Sequence, residues 1–472
     1  MNDSASDPGI LLERQQRAFL ADLPPSRPAR EDRLRRLDRI VETHAERFAQ
    51  AISQDFGARS AVEVRVTETM LLRAGVRHAL RHLGAWMKPR RAPVALAYRP
   101  GSAWLIRQPR GVVGIISPWN YPLQLSLAPL IGALAAGNRA MIKPSESTPA
   151  FAAALAVAVA EAFAADEVAV VIGDAVVGRA FAALPFDHLV FTGSTAVGRE
   201  VALAAAKNLT PVTLELSGKS PVIVDASCAL DGIVDRIAWG KLINAGQTCI
   251  APDYALVPRA GVDRFARAMC ASMHRLYPAF RGNPDYTSIA SERHFTRLRE
   301  LLDDARAHGA RIVELDAGGA EHDGHRRQLA PSLLLDVNDD MRVMREEIFG
   351  PILPIVPYDT LDDALSYVNR RARPLALYWF GADRNARERV LAGTIAGGVT
   401  INDTLVHVAL DSLPFGGVGD SGYGHYHGEY GFRQFSTLKP VFIQSRFSGL
   451  GLIRPPYRPS IGRLLDWISH FT

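Results

Sequence analysis

Residues 111–143 read GVVGIISPWNYPLQLSLAPLIGALAAGNRAMIK, and this stretch decides the fold. No charged residue occurs between Gly111 and Gly137, a run long enough to suggest a membrane span. Pro118, Asn120, Pro122, Gln124 and Pro129 argue against one, because a spanning helix would have to satisfy the backbone groups that the prolines free. A buried strand (112–117), a turn, a buried helix (123–136) and a second buried strand (140–143) fit these breakers instead.

The same alternation continues downstream. A helix is expected at 149–164, a strand at 168–172, a short helix near 176–183, a strand at 188–191, a helix at 195–207 and a strand at 211–216. Strands that are apolar on both faces and alternate with helices imply a doubly wound, mostly parallel sheet, with ligands at the carboxyl ends of its strands. A second α/β region follows, with strands at 221–224, 254–257 and 311–314 and helices at 230–245, 262–277, 291–308 and 361–369. The boundary between the two falls near Leu216-Ser-Gly-Lys219. Upstream, residues 10 to about 90 read as a helical layer, and 94–108 as extended chain able to form a small hairpin. The glycine-rich stretch at 414–424 reads as irregular. Residues 461–471 read as a short amphipathic helix that packs on the body or on another subunit; membrane contact is disfavoured because one short helix with few basic residues binds weakly.

Composition narrows the function. At 472 residues the chain is long enough for two or three domains. Its net charge of +5 is dispersed, and the arginines of 26–39 are interleaved with acids, which reads as a solvated helix face rather than a nucleic-acid patch. Three cysteines with no scaffold or metal spacing indicate a reducing compartment, the cytoplasm, and no metal site is expected. The amino terminus lacks the apolar core of a secretion signal.

Five short stretches carry candidate chemistry. Gly246-Gln-Thr-Cys249 offers an uncrowded thiol; one cysteine is either a nucleophile or a small buried hydrophobe. Pro118-Trp-Asn120-Tyr-Pro122 holds a neutral amide donor suited to an oxyanion, or a helix-capping turn. Glu215 ends an apolar strand, where burial raises a carboxyl pKa and suits it to act as a base; a structural ion pair is the other reading. Lys143-Pro-Ser-Glu146 could bind the two hydroxyls of a ribose or close a surface turn. Phe191-Thr-Gly193-Ser194-Thr-Ala-Val-Gly198 leaves a strand and opens a helix, so it can face a pyrophosphate or be an ordinary helix start; it is neither Gly-x-Gly-x-x-Gly nor a Walker loop.

In this order and spacing, and together with Glu215-Leu-x-Gly-Lys-Ser-Pro221, Glu346-Glu-Ile-Phe-Gly-Pro351 and Pro414-Phe-Gly-Gly-Val418, these stretches resemble the aldehyde dehydrogenase superfamily from about residue 30 to 445. Cys249-Ile-Ala-Pro-Asp-Tyr254 and Tyr426-His-Gly428 look like its class 3 branch and the bacterial coniferyl aldehyde dehydrogenases within it. The resemblance implies an NAD(P)-binding domain (1–93, 112–216 and 406–420), a catalytic domain (217–405) and an oligomerisation element (94–111 and 421–472) that forms a homodimer. It implies Cys249 as nucleophile, Asn120 as oxyanion donor and Glu215 as base. Lys143 and Glu146 would hold the adenosine ribose, Gly193 and Ser194 the pyrophosphate, and Glu347 and Phe349 the nicotinamide ribose and ring. NAD is expected first and NADP second. The substrate would be a hydrophobic aldehyde, aromatic such as coniferaldehyde or medium-chain aliphatic, against Trp119, Tyr121 and Trp239. A cofactor-independent cysteine hydrolase and a non-catalytic protein of the same fold are the competing functions. Ser217 departs from the family's usual glycine, which would strain the turn if φ there is positive or alter Glu215 if it is not.

Overall fold

The computed structural model describes residues 7–230, 232–316, 327–448, 454–456 and 461–463. Among the described residues the strands, in chain order, are β1 (Arg90–Ala92), β2 (Ser102–Pro109), β3 (Val112–Ile116), β4 (Arg139–Lys143), β5 (Val168–Val170), β6 (His188–Gly193), β7 (Val212–Leu216), β8 (Pro221–Val224), β9 (Tyr254–Pro258), β10 (Arg311–Glu314), β11 (Ser332–Leu335), β12 (Ile352–Tyr358), β13 (Ala376–Phe380), β14 (Gly398–Ile401), β15 (Gly422–Tyr423) and β16 (Ser436–Ile443). They form three sheets, ordered β15-β7-β6-β3-β4-β5, β10-β11-β12-β9-β8-β13-β14 and β1-β2-β16.

The first sheet is parallel except for β15. From β3 the chain winds outward through β4 and β5, then returns to place β6 on the other side of β3. The strand order reverses there, and a crevice opens at the carboxyl ends. Helix Pro122–Ala136 lies between this sheet and the helical layer, and Leu123, Leu125, Ala128 and Ala133 are buried on different sides of it. Burial on all sides explains the charge-free run without a bilayer. Among the described residues no helix is long and apolar enough to cross a membrane.

The second sheet is parallel except for β10. Its core is Val222, Ile223, Leu256, Leu334, Ile355 and Leu377, buried on both faces as in the first sheet. The third sheet is an antiparallel hairpin, β1 with β2, extended by β16 along the whole of β2.

Three expectations need correction. The helix read as 230–245 spans Ile233–Leu242 and stops because Asn244, Ala245 and Gly246 all take positive φ. The glycine-rich stretch is not wholly irregular, since Gly422 and Tyr423 pair with Glu215 and Leu214 of β7. Arginines within 26–39 are not all solvated. Arg30 is buried and donates to the last carbonyls of helix Pro122–Ala136, Ala135 O at 3.1 Å and Ala136 O at 2.7 Å, while Arg33 bridges Asp22 and Glu167. These bonds satisfy helix-end acceptors that would otherwise lie buried and unmet. The amphipathic helix read at 461–471 lies outside the described residues beyond its first three.

Candidate active site

Four expected groups come from the carboxyl ends of adjacent strands in the first sheet. β3 leads into Asn120, β4 ends on Lys143, β6 ends on Gly193 and β7 carries Glu215 one residue from its end. Cys249, Glu347 and Phe349 come from the second sheet, on segments that lead into the amino ends of the parallel strands β9 and β12.

The turn before Cys249 is held in place by side chains. Gln247 Nε2 donates to Asn244 O and Ser288 O, each at 3.0 Å, and Gln247 Oε1 accepts from Ala290 N at 2.9 Å. Asn244 Nδ2 donates to Asn120 O at 2.9 Å and to Gln247 O at 3.1 Å. Lys241, fully buried, donates to Pro252 O at 2.8 Å, and Tyr378 donates to Ile250 O at 2.6 Å. Left-handed backbone suits Asn and Gly, but in Ala245 it costs about 1–2 kcal/mol, held by these bonds. At Gly246 a Cβ would stand 2.4 Å from Gly350 O, so only glycine lets the turn approach that backbone.

Cys249 lines a cavity of about 230 Å³ whose other walls include Leu71, Leu125, Trp239, Ile243 and Phe415. Burial pushes the thiol up to about 12, and the nearby carboxyls of Glu347 and Glu215 add to the effect. Tyr121 also lines the cavity, its hydroxyl 2.7 Å from Thr248 Oγ1. Trp119 does not; it packs instead against Phe56, His294 and Phe349, with its ring 5.5 Å from that of Phe349. The sequence reading missed Tyr426 and His427, which line the cavity from the segment after β15. Their one signal was the Tyr426-His-Gly428 motif.

Asn120 is 3% exposed, and its amide donates to Gln247 O at 3.1 Å, two residues from the thiol. Glu215 is 2% exposed, neither carboxyl oxygen has a hydrogen-bond partner, and burial raises its pKa well above the ordinary value. Burial therefore favours its neutral, protonated form. A buried polar group without a partner requires an explanation, and a ligand or water is the usual one.

Ser217 resolves differently from either expectation. It is absent from the positive-φ residues, so the turn is not strained. Its hydroxyl acts on Glu347, not Glu215: burial and Asp253 push Glu347 up to about 8, against hydrogen bonds from Ser217 and the Gly218 N–H and the charge of Lys219.

At the cofactor end, buried Lys143 donates to Pro144 O at 3.1 Å and to Glu146 Oε2 at 3.3 Å, which sets a cation and an acceptor side by side at the strand tip. Ser194 caps helix Thr195–Ala206, accepting from Val197 N at 3.4 Å. Gly198 lets that helix lie close on β7, since a Cβ there would meet Leu216 at 2.5 Å. A helix amino terminus at a strand's carboxyl end, beside a lysine and acid, fits a dinucleotide with its pyrophosphate on the helix and a ribose at Lys143 and Glu146.

The chain matches the family model described as "Aldehyde dehydrogenase family" over residues 14–441. It is 52% identical to a "Probable coniferyl aldehyde dehydrogenase" of Pseudomonas aeruginosa, over 96% of this chain and 94% of that protein. The substrate-bound state of Staphylococcus aureus AldH matches with a TM-score of 0.91 and 38% identity, covering 97% of this chain and 99% of that one. A mutant of the P. syringae indole-3-acetaldehyde dehydrogenase AldA, in complex with NAD+ and IAA, matches with a TM-score of 0.85 and 26% identity, covering 93% and 89%.

Proposed function

The chain belongs to the aldehyde dehydrogenase family, and from that premise we propose that it oxidises a hydrophobic aldehyde to the carboxylic acid through a covalent bond to Cys249, with NAD+ as partner. One observation carries the reading: the apolar cavity reaches the Cys249 side chain.

The Cys249 thiol gives its proton to solvent water, and the thiolate sulfur adds to the carbonyl carbon, whose oxygen becomes a thiohemiacetal oxyanion. The Asn120 amide then leaves Gln247 O for that oxygen, a neutral donor where charge develops. NAD+, when bound, supplies the two-electron acceptor for the aldehyde hydrogen, which leaves a thioester on Cys249. Glu215, once it has lost its own proton, takes one from water, and the hydroxide cleaves the thioester to release acid and thiol. Lys143 and Glu146 hold the adenosine ribose, Gly193 and Ser194 line the pyrophosphate, and Glu347 and Phe349 face the nicotinamide end. The carboxylate of Glu146 disfavours a 2'-phosphate, so NAD+ is preferred over NADP+.

The cavity walls expose mostly apolar surface, which selects apolar aldehydes, and the 52% identical relative points to the coniferaldehyde type. The first sheet apart from β15, with the helical layer, falls in the cofactor domain (1–93, 112–216 and 406–420), the second sheet in the catalytic domain (217–405), and the third sheet apart from β1 in the bridging element (94–111 and 421–472), which also carries β15. Edge strand β16 exposes Leu438, Phe442 and Ile443, a face for a second copy. Three free cysteines suit the cytoplasm.

Absorbance of the reduced nicotinamide, followed over a panel of cinnamaldehydes and aliphatic aldehydes with NAD+ and NADP+, tests the reading. Cys249→Ala should lose at least about 10⁴-fold in kcat, the scale on which removing a nucleophile acts. Turnover without cofactor, or an unaffected alanine variant, overturns the proposal.

A further inference from the structure

Below the Asn120 turn lies a cluster of charge that the reaction does not use. Arg59 and Glu68 have fully buried side chains, and that of Glu63 is 9% exposed. Arg59 Nη1 stands 3.0 Å from Glu68 Oε1 and donates to Asn120 O at 3.0 Å, while its Nε donates to Glu63 Oε1 at 3.2 Å. Its guanidinium lies over the ring of Tyr121, 4.8 Å from the centroid. Glu68 Oε2 accepts from Leu123 N at 2.8 Å and Gln124 N at 3.0 Å, the first turn of the helix that follows Asn120. Glu63 Oε2 accepts from Asn244 N at 3.2 Å, in the turn that carries Cys249.

The backbone is bent to make this possible. Glu63 and Glu68 are five residues apart, which on an α-helix points them about 140° from each other. Here Arg65–Thr69 is a π-helical turn, whose i to i+5 spacing returns both acids to the side facing Arg59. Such turns cost regular hydrogen bonding and occur mostly where a side chain must be re-aimed.

We propose that Arg59, held between Glu63 and Glu68 by this π-turn, is the positioning residue that fixes Asn120 and the Cys249 turn relative to one another. The inference rests on the oxyanion role of Asn120. Arg59 binds the carbonyl of the residue whose side chain must meet the oxyanion, Glu68 pins the helix start just beyond it, and Glu63 ties the pair to the nucleophile's loop. Without Arg59 the asparagine keeps the bond from Asn244 but loses the second donor to the same carbonyl oxygen. Misplacement by about 1 Å at a reacting centre costs on the order of 100-fold in rate.

A double-mutant cycle between Arg59→Met and Asn120→Ala tests this, with kcat, KM for NAD+ and thermal melting followed in each variant. Arg59→Met should lower kcat roughly 10- to 100-fold, with KM for NAD+ within about twofold. In the Asn120→Ala background the same substitution should cost less than about threefold, because the donor it positions is already gone. Arg59→Met/Glu68→Gln removes the fully buried pair together and leaves Glu63 with its hydrogen bonds from Asn244 N and Thr287 Oγ1; it should still fold and keep the kcat defect. Full multiplication of the two single losses overturns the proposal, as does a folded Arg59 variant or folded double variant with normal kcat. If Asn120→Ala alone leaves kcat unchanged, the oxyanion assignment falls first and this inference with it.

Discussion

The two large sheets contribute to the site from opposite ends of their strands. The first delivers Asn120, Lys143, Gly193 and Glu215 at or just beyond carboxyl ends, the position that a reversal of strand order leaves open. The second delivers Cys249, Glu347 and Phe349 on segments that enter strands at their amino ends. Bonding differs in the same way. The Cys249 turn is fixed by side-chain hydrogen bonds, whereas Glu215 is buried with both oxygens unpartnered. In the proposed reaction the nucleophile has to be placed once and held, while the base has to give up and regain a proton, which matches one side locked and the other left free.

Replacing the free group gives the largest effect. Glu215→Gln keeps the shape and removes the acid, so hydrolysis of the thioester should slow by about 10²- to 10⁴-fold, the usual worth of a positioned base. One equivalent of reduced nicotinamide should still form in a burst, since formation of the thioester does not use Glu215. Stability should move the other way. A carboxyl whose folded pKa is raised lets the native state hold a proton that the unfolded chain releases, so its contribution falls as pH rises above the unfolded value. The gain in melting temperature from Glu215→Gln should therefore be larger at pH 9 than at pH 5. A slow variant with no burst would place Glu215 in the first half-reaction and break the comparison.

Disturbing the locked side should cost stability as well as rate. Gly246→Ala puts a methyl 2.4 Å from Gly350 O in a residue at φ +74°, so the turn must open. A loss of about 2–4 kcal/mol in denaturant unfolding is expected, the left-handed penalty plus the clash. Alkylation of Cys249 by iodoacetamide should accelerate as the packing loosens, because burial is the first cause of the thiol's high pKa. A variant of parental stability would show that the turn is not the rigid element its hydrogen bonds suggest.

The sequence revealed the two sheets unequally. Alternating strands and helices, with glycine and acid at the strand ends, exposed the first sheet and its cofactor groups, because periodicity and the carboxyl-end rule both act within one short segment. The second sheet's contribution could not be read that way. Glu347 precedes β12 in a segment with no local pattern, and it entered only through resemblance. The end of the helix at Leu242 was hidden because Ala245 favours helix locally and is forced left-handed by contacts from Asn120, Ser288 and Ala290. Arg59, Glu63 and Glu68 looked like members of a helical layer, and only their convergence in space distinguishes them from a solvated face.

Ser217 lies between the sheets and gives the smallest effect. Sequence reasoning placed its influence on the turn or on Glu215, through strain if φ is positive and through an altered acid if it is not. The structure directs the hydroxyl to Glu347, where it favours the charged form of a carboxyl that burial holds near 8. Removing it should push the Glu347 pKa higher and leave Glu215 unchanged. The rate of thioester hydrolysis in Ser217→Gly should then stay within about twofold of the parent at pH 7, since loss of one hydrogen bond to a partly shielded acid is worth little more. The pH at which KM for NAD+ changes should rise, because Glu347 would reach its charged form only at higher pH. A faster hydrolysis with no change in the cofactor's pH profile would return Ser217 to Glu215 and make the free side of the site less free than its unpartnered oxygens indicate.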